Sequence, residues 1–192
     1  MRDRRVDGDW LSPSGATACP RKRFLLRMED YYLEPQSVWP SMTGHAIHAY
    51  AELVGKVDSE DEIRETQLSM KVPVPVAIDG DIRTVDVEIR GTLDYYDPEH
   101  RRIVDYKTTY RPFIYYDPEL KKRVHRELPE EDHVVQTNIY RLLLENAGHP
   151  VQEIKICYLR MDRDVPRKVV DVPVWDLQDT YETVMDLAQP LA

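Results

Sequence analysis

From Val85 the chain alternates: Val85, Val87, Ile89, Gly91 and Leu93 are interleaved with Asp86, Glu88, Arg90, Thr92 and Asp94. A period of two predicts a β-strand with one apolar and one polar face. Met70, Val72, Val74 and Val76 alternate in the same way with Lys71, Pro73, Pro75 and Ala77. Proline cannot donate to a ladder, so this run predicts an edge strand. Asp79-Gly80 reads as the turn between the two, Asp97-Pro98-Glu99-His100 as the next turn, and Arg102–Thr108 as a third strand.

Elsewhere the period is helical. Ser12-Pro13 pairs a capping residue with a proline at the first helical position, predicting a helix through Ala16–Cys19 towards Arg27. Pro20 implies a break or a second short helix. Ser41 caps a helix over about Met42–Val54, and Asp58–Glu65 reads as an acidic link. Ile139, Leu142 and Leu143 stripe a helix over Val134–Asn146 that Gly148 stops. Ile154–Arg160 and Lys168–Val174 read as strands, and Asp176 or Asp179 opens a last helix to about Leu187. Arg111–Asp132 is left as a long connection, a length associated with function. The order predicts an α/β fold, a mixed central β-sheet flanked by helices. A single domain over 1–192 is expected, with a helical N-terminal segment at about 12–55 and a core at about 68–188.

Composition narrows this picture. With 42% hydrophobic and 32% charged residues, a soluble globular chain is expected. No apolar run approaches the roughly 20 residues that span a bilayer. Met1–Asp9 is charged and lacks the apolar stretch of a secretory signal, so a cytoplasmic protein without a membrane partner is expected. The net charge of −9 argues against a basic coat for nonspecific nucleic-acid binding. Two local clusters run against it: Arg21-Lys22-Arg23 with Arg27, and Lys121-Lys122-Arg123 with Arg126. Each is either a solvated face or a track for phosphates. Two cysteines, Cys19 and Cys157, are too few for a disulfide scaffold or for a cysteine-only metal or iron–sulfur site.

The strand pair also carries candidate chemistry. A hairpin centred between Pro98 and Glu99 sets Asp94 opposite Ile103. Asp105 then lies diagonally across, about 7–8 Å away at the backbone. Lys107, two residues on, shares that face. Two carboxylates can converge there on a hard divalent cation, with the Tyr106 carbonyl as a further ligand. Such a cation polarises a phosphoryl oxygen and acidifies bound water, and a lysine steadies the charge that develops. Taken alone, Asp-x-Lys is also explained by an ordinary cross-strand ion pair.

Four features occur in order along the chain: Gly44-His45-Ala46-Ile47-His48 followed by Glu52, Gly91-Thr92-Leu93-Asp94, Val104-Asp105-Tyr106-Lys107-Thr108, and Gln136-Thr137-Asn138-Ile139-Tyr140. The set, with the opening Cys19-Pro20-Arg21-Lys22-Arg23-Phe24, resembles the RecB-like branch of the PD-(D/E)XK nucleases. That branch includes a CRISPR-associated nuclease and phage or recombination exonucleases. The resemblance implies a restriction-endonuclease-like core. It implies Asp94, Asp105 and His48 as metal ligands, Lys107 as the catalytic lysine, and Gln136 and Tyr140 facing DNA or orienting the lysine. Helical spacing agrees, since Gly44, His48 and Glu52 share one face, as do Gln136 and Tyr140. The alternative for His48 is a satisfied core histidine.

A histidine ligand suits Mn²⁺ better than Mg²⁺, and either is expected as cofactor. Cluster-bearing relatives carry one N-terminal and three C-terminal cysteines. Only Cys19 matches, so either a cluster-free member or a shortened chain is implied. The expectation is a divalent-metal-dependent deoxyribonuclease, acting as an exonuclease or on ends and single strands. Arg21, Arg23, Lys121, Lys122 and Arg123 are expected on DNA. Tyr95, Tyr96, Tyr106, Tyr110, Tyr115 and Tyr116 either stack on bases or pack. Partners beyond DNA would be recombination or CRISPR-adaptation proteins. A non-catalytic subunit of the same fold, binding DNA or a partner, is the alternative, and an RNA-directed nuclease a third reading.

Overall fold

A computed structural model describes residues 10–28, 34, 38–39, 42–47, 62–78, 81–161 and 167–189. Its strands are β1 (Trp10–Leu11), β2 (Ile63–Ile78), β3 (Asp81–Asp97), β4 (Arg102–Thr109), β5 (Ile114–Asp117), β6 (Lys122–His125), β7 (Glu153–Arg160) and β8 (Arg167–Asp171). The helices are α1 (Pro20–Met28), α2 (Glu131–Asn146) and α3 (Leu177–Ala188), with a 3₁₀ turn at Pro13–Gly15 and a helical stretch at 42–47.

One sheet runs β1-β3-β4-β7-β8, and β2 lies along β3. β2–β3, β3–β4 and β7–β8 are antiparallel, while β1–β3 and β4–β7 are parallel. The sheet is therefore mixed, as expected. Parallel neighbours need a crossover, and α2 lies in the connection from β4 to β7. Ile139, Leu143 and Leu144 of α2 are buried in the core with Leu93, Ile103, Ile154 and Ile156 from the sheet. Each such side chain contributes about 1.5–3 kcal/mol through loss of contact with water.

Asn138 pins the other side of α2. Its amide donates to the carbonyls of Val134 and Pro173 and accepts from the Trp175 N–H, so it ties the helix to the segment before α3. Asp176 caps α3 by accepting from the Gln178 N–H. Gly148 ends the α2 region at φ +88, a conformation that glycine adopts without a side-chain clash.

Several expectations change. The helix signalled by Ser12-Pro13 is a single 3₁₀ turn, with Ser12 Oγ accepting from Gly15 N–H, and α1 begins at Pro20. Proline tolerates the first turn of a helix and not its interior, so the chain restarts there. The acidic link ends earlier than expected, because β2 begins at Ile63. The long connection holds a hairpin, β5–β6, paired from Ile114↔His125 to Asp117↔Lys122. The simple alternation of β3 fails at its end, where Tyr96 and Asp97 are both buried. Tyr96 donates to the Pro150 carbonyl, and Asp97 accepts from His100 and Arg102. Asp79-Gly80 and the later part of the helix expected over Met42–Val54 lie outside the described residues.

Candidate active site

The β3–β4 turn fixes the register. Pro98–Arg101 forms the loop, with Arg101 at φ +50. Asp97 closes it, accepting from the His100 N–H at 3.1 Å and from Arg102 at 2.8 Å. Burial opposes ionisation of Asp97, but the His100 hydrogen bonds and the Arg102 charge hold its carboxyl below the usual range. The resulting pairs are Asp97↔Arg102, Tyr96↔Ile103 and Tyr95↔Val104. Ile103 thus faces Tyr96, which corrects the expected pairing with Asp94. The expected centre assumed a tighter turn, and a four-residue loop moves the register by two.

Continued by one pair, this register sets Asp94 against Asp105. The backbone ladder stops before that point. There the Asp94 carboxylate accepts the Tyr106 N–H at 2.7 Å, bridging the two strands. Asp105 is 2% exposed. Lys107 Nζ stands 2.8 Å from its Oδ2 and 3.2 Å from its Oδ1. The Tyr106 main chain thus sits between the two carboxylates, held by one of them.

α2 supplies the opposite wall. Burial is the first cause that raises the Tyr140 hydroxyl above its ordinary pKa. The negative charges of Asp105 and Asp94 act in the same direction. Gln136, one helical turn earlier, lies on the same face of α2 and is itself buried.

Gly91 explains how this wall can approach the sheet. A Cβ there would meet Tyr140 Cε1 at 2.9 Å and Pro13 Cδ at 2.7 Å, closer than packed atoms allow. The Gly91–Asp94 and Gln136–Tyr140 motifs therefore touch. A Cβ at Gly44 would lie 3.6 Å from Thr108 Oγ1, which places the start of the first motif beside the residue after Lys107. His48 and Glu52 lie outside the described residues.

Three groups near the site carried no sequence signal. Glu65, at φ +42, is the residue that the β2–β3 ladder passes over opposite Asp94, and its charge reaches Tyr140. Tyr158 pairs with Lys107 across β4–β7. Its hydroxyl accepts from the Glu130 N–H at 3.2 Å and lies 2.8 Å from His133 Nδ1. Burial pushes the Tyr158 hydroxyl up to about 12. Burial, and then the Lys107 charge, holds His133 below its ordinary pKa. Unusual backbone conformation and parallel pairing leave no mark in a local pattern, so only the fold reveals these residues.

Glu130, Asp132 and His133 also bring ligand atoms within 4.8 Å of one another. Glu130 is ion-paired with Arg126, and His133 Nδ1 is engaged with Tyr158, so this cluster already holds the start of α2 in place.

The expected DNA contacts divide. Arg21 and Lys22 are exposed on α1, whereas Arg23 donates twice to the Leu187 carbonyl, at 3.1 and 3.2 Å, and ties α1 to α3. Lys121, Lys122 and Arg123 are exposed on the β5–β6 hairpin. Tyr96 is core, and Tyr95 donates to Glu62 beneath the Arg64 guanidinium, 4.7 Å from its ring centre. Tyr106 is partly buried, and Tyr110, Tyr115 and Tyr116 are exposed. Cys157 is buried and Cys19 exposed at the start of α1. No described helix is long and apolar enough to cross a membrane.

Comparison with known proteins agrees with this architecture. The protein SSO0001 superposes over 95% of this chain and 76% of its own, at a TM-score of 0.58 and 17% identity. A candidate exonuclease from Eubacterium rectale covers 93% of this chain and 78% of its own, at a TM-score of 0.50 and 11% identity. At such identities the likeness is one of fold. No curated protein sequence matches the chain. The profile of the PD-(D/E)XK nuclease superfamily matches residues 57–189, from before β2 to the end of α3. That stretch contains Asp94, Asp105, Lys107 and Tyr140, and the chain belongs to the PD-(D/E)XK nuclease superfamily.

Proposed function

We propose that the chain is a divalent-metal-dependent deoxyribonuclease of the RecB-like branch, hydrolysing phosphodiester bonds at DNA ends or in single strands. The observation that carries this reading is the juxtaposition of Asp94, Asp105 and Lys107 where the β3–β4 ladder ends, with Tyr140 packed on Gly91 of the same strand as Asp94.

The donor set fits a hard cation. Carboxylates from adjacent strands flank the Tyr106 main chain, Asp94 on its N–H and Asp105 next in sequence to it, and Asp105 is almost buried. Asp94 and Asp105 would hold the ion, joined in this reading by the Tyr106 carbonyl and the His48 imidazole. An imidazole among carboxylates favours Mn²⁺ over Mg²⁺. Bound there, such a cation polarises a phosphoryl oxygen and makes water a stronger nucleophile.

The chain's own groups do the rest. The Lys107 ammonium, held on Asp105, donates to the attacking water or to a phosphoryl oxygen as negative charge builds. As the water oxygen bonds to phosphorus the P–O bond to the leaving group breaks; the water gives up a proton to solvent, and solvent protonates the departing oxygen. The Tyr140 hydroxyl, like any tyrosine's, is protonated at neutral pH, and in this reading it donates towards substrate with Gln136 beside it on the same helical face. Arg21, Lys121, Lys122 and Arg123 lie exposed to meet phosphates. Cytoplasmic placement, and work beside recombination or CRISPR-adaptation proteins, belong to the same reading.

The test is cleavage of end-labelled single- and double-stranded DNA with Mn²⁺, with Mg²⁺ and with EDTA. Cutting that needs metal and falls at least a hundredfold in Lys107→Ala is expected, the scale lost when one charge-stabilising donor is removed. A folded, metal-bound wild type that leaves DNA intact would instead support the non-catalytic binding subunit.

A further inference from the structure

The β5–β6 hairpin stands apart from the main sheet as a two-stranded ribbon. Its residues are almost all exposed, including Ile114, Tyr115, Tyr116 and Leu120. Large apolar side chains clustered in water mark a surface made for contact.

Their arrangement is specific. Directly paired residues of an antiparallel ribbon share a face. The pairs Ile114↔His125 and Tyr116↔Arg123 therefore put an aromatic ring, an aliphatic side chain, a guanidinium and an imidazole on one side. Tyr115, Val124, Asp117 and Lys122 occupy the other. Lys121, at φ +50, joins the cations at the turn. Asp117 Oδ1 faces back into that turn, accepting from the N–H groups of Glu119 and Leu120 at 2.8 and 3.0 Å. A local run of three cations, Lys121, Lys122 and Arg123, on a chain of net charge −9 points to an anionic partner.

The ribbon is also firmly seated. The Arg126 N–H donates to the Phe113 carbonyl at 2.9 Å and closes its base. The Arg126 side chain donates to Thr109 Oγ1 at 3.0 Å and pairs with Glu130. Thr109 is the last residue of β4, the strand that carries Asp105 and Lys107. The arm is thus fixed to both the candidate catalytic strand and the start of α2.

We propose that this hairpin is a single-strand-binding arm: unpaired bases stack on the Tyr116 face, beside Arg123 and His125, while Arg123 and, at the turn end of the ribbon, Lys121 and Lys122 meet the flanking phosphates. Cations alone would serve duplex and single strand alike, but exposed rings gain most from bases that are not already stacked. The proposal deepens the nuclease reading by naming the strand state of its substrate, and rests on that reading for its biological sense.

Binding can be measured without cleavage. Fluorescence anisotropy of a labelled oligothymidylate, and of a duplex of equal length, is followed in EDTA. Wild type is compared with the variant Tyr116→Ser and with Lys122→Glu/Arg123→Glu. The tyrosine variant should lose at least tenfold in single-strand affinity and less than twofold on duplex. The charge variant should weaken both and flatten their salt dependence. All these side chains are exposed, so thermal melts should match wild type and confirm folding. Unchanged single-strand affinity in the tyrosine variant, or an equal loss on duplex, would overturn the proposal. Metal-dependent cutting with an indifferent arm would leave the nuclease and remove the arm. Arm-dependent binding without cutting would do the reverse.

Discussion

A methyl group at position 91 would have to displace Tyr140 or Pro13, both rigid rings. Gly91→Ala is therefore expected to destabilise the fold by about 1–3 kcal/mol, the usual range for overpacking. Urea denaturation checks this, and an unchanged midpoint would mean that the rings can give way. His133 offers a second test at this scale. Its pKa is lowered by burial and by Lys107. At pH 8 it is neutral both folded and unfolded, and its titration adds nothing. As pH falls through the ordinary histidine range, the unfolded chain takes up a proton that the folded chain resists, so stability declines. His133→Asn should be somewhat less stable at pH 8, by about 1 kcal/mol for the contact with Tyr158. Between pH 7 and 5 it should then lose less stability than wild type. Parallel curves for the two proteins would refute that account. Glycine, aspartate and lysine at their spacings made this part of the site legible in advance. Glu65 and Tyr158 were not legible, because what brings them in is a skipped ladder position and a parallel pairing distant in sequence.

At the scale of elements, α2 has to be held in place for Tyr140 to pack on Gly91 of β3. Asn138 joins it to the segment before α3 with two hydrogen bonds, to the Pro173 carbonyl and from the Trp175 N–H. Asn138→Leu keeps the volume but strands the Trp175 N–H and the Pro173 carbonyl, which should cost about 2–4 kcal/mol. Thermal melts would show it, and a neutral result would mean that water replaces the amide. Strands β2, β3, β4 and β7 and helices α2 and α3 were readable because each carries a strong period and a clear stop. The β3–β4 register was not, since period alone cannot distinguish a two-residue from a four-residue loop. Asp97, with His100 and Arg102 on it, selects the longer loop. The β5–β6 hairpin escaped because its strands are short and exposed on both faces, so no apolar alternation marks them.

For the whole molecule, the mixed α/β order was legible, while the joining of the chain's two ends was not. Arg23 of α1 donates to the carbonyl of Leu187 at the end of α3, a contact between residues far apart in sequence. Its role is structural in the fold described, whatever it adds on DNA. The four motifs were visible as an ordered set, and folding brings three of them together at Asp94, Lys107 and Tyr140. The account turns on Asp94 and Asp105 holding a divalent cation. Calorimetric titration of Mn²⁺ into wild type and into Asp94→Asn/Asp105→Asn tests this most directly, with folding of both checked by melts in EDTA. The account requires saturable binding to wild type and at least a tenfold loss of affinity in the variant. Equal affinity in the two proteins would place the metal elsewhere and contradict the site.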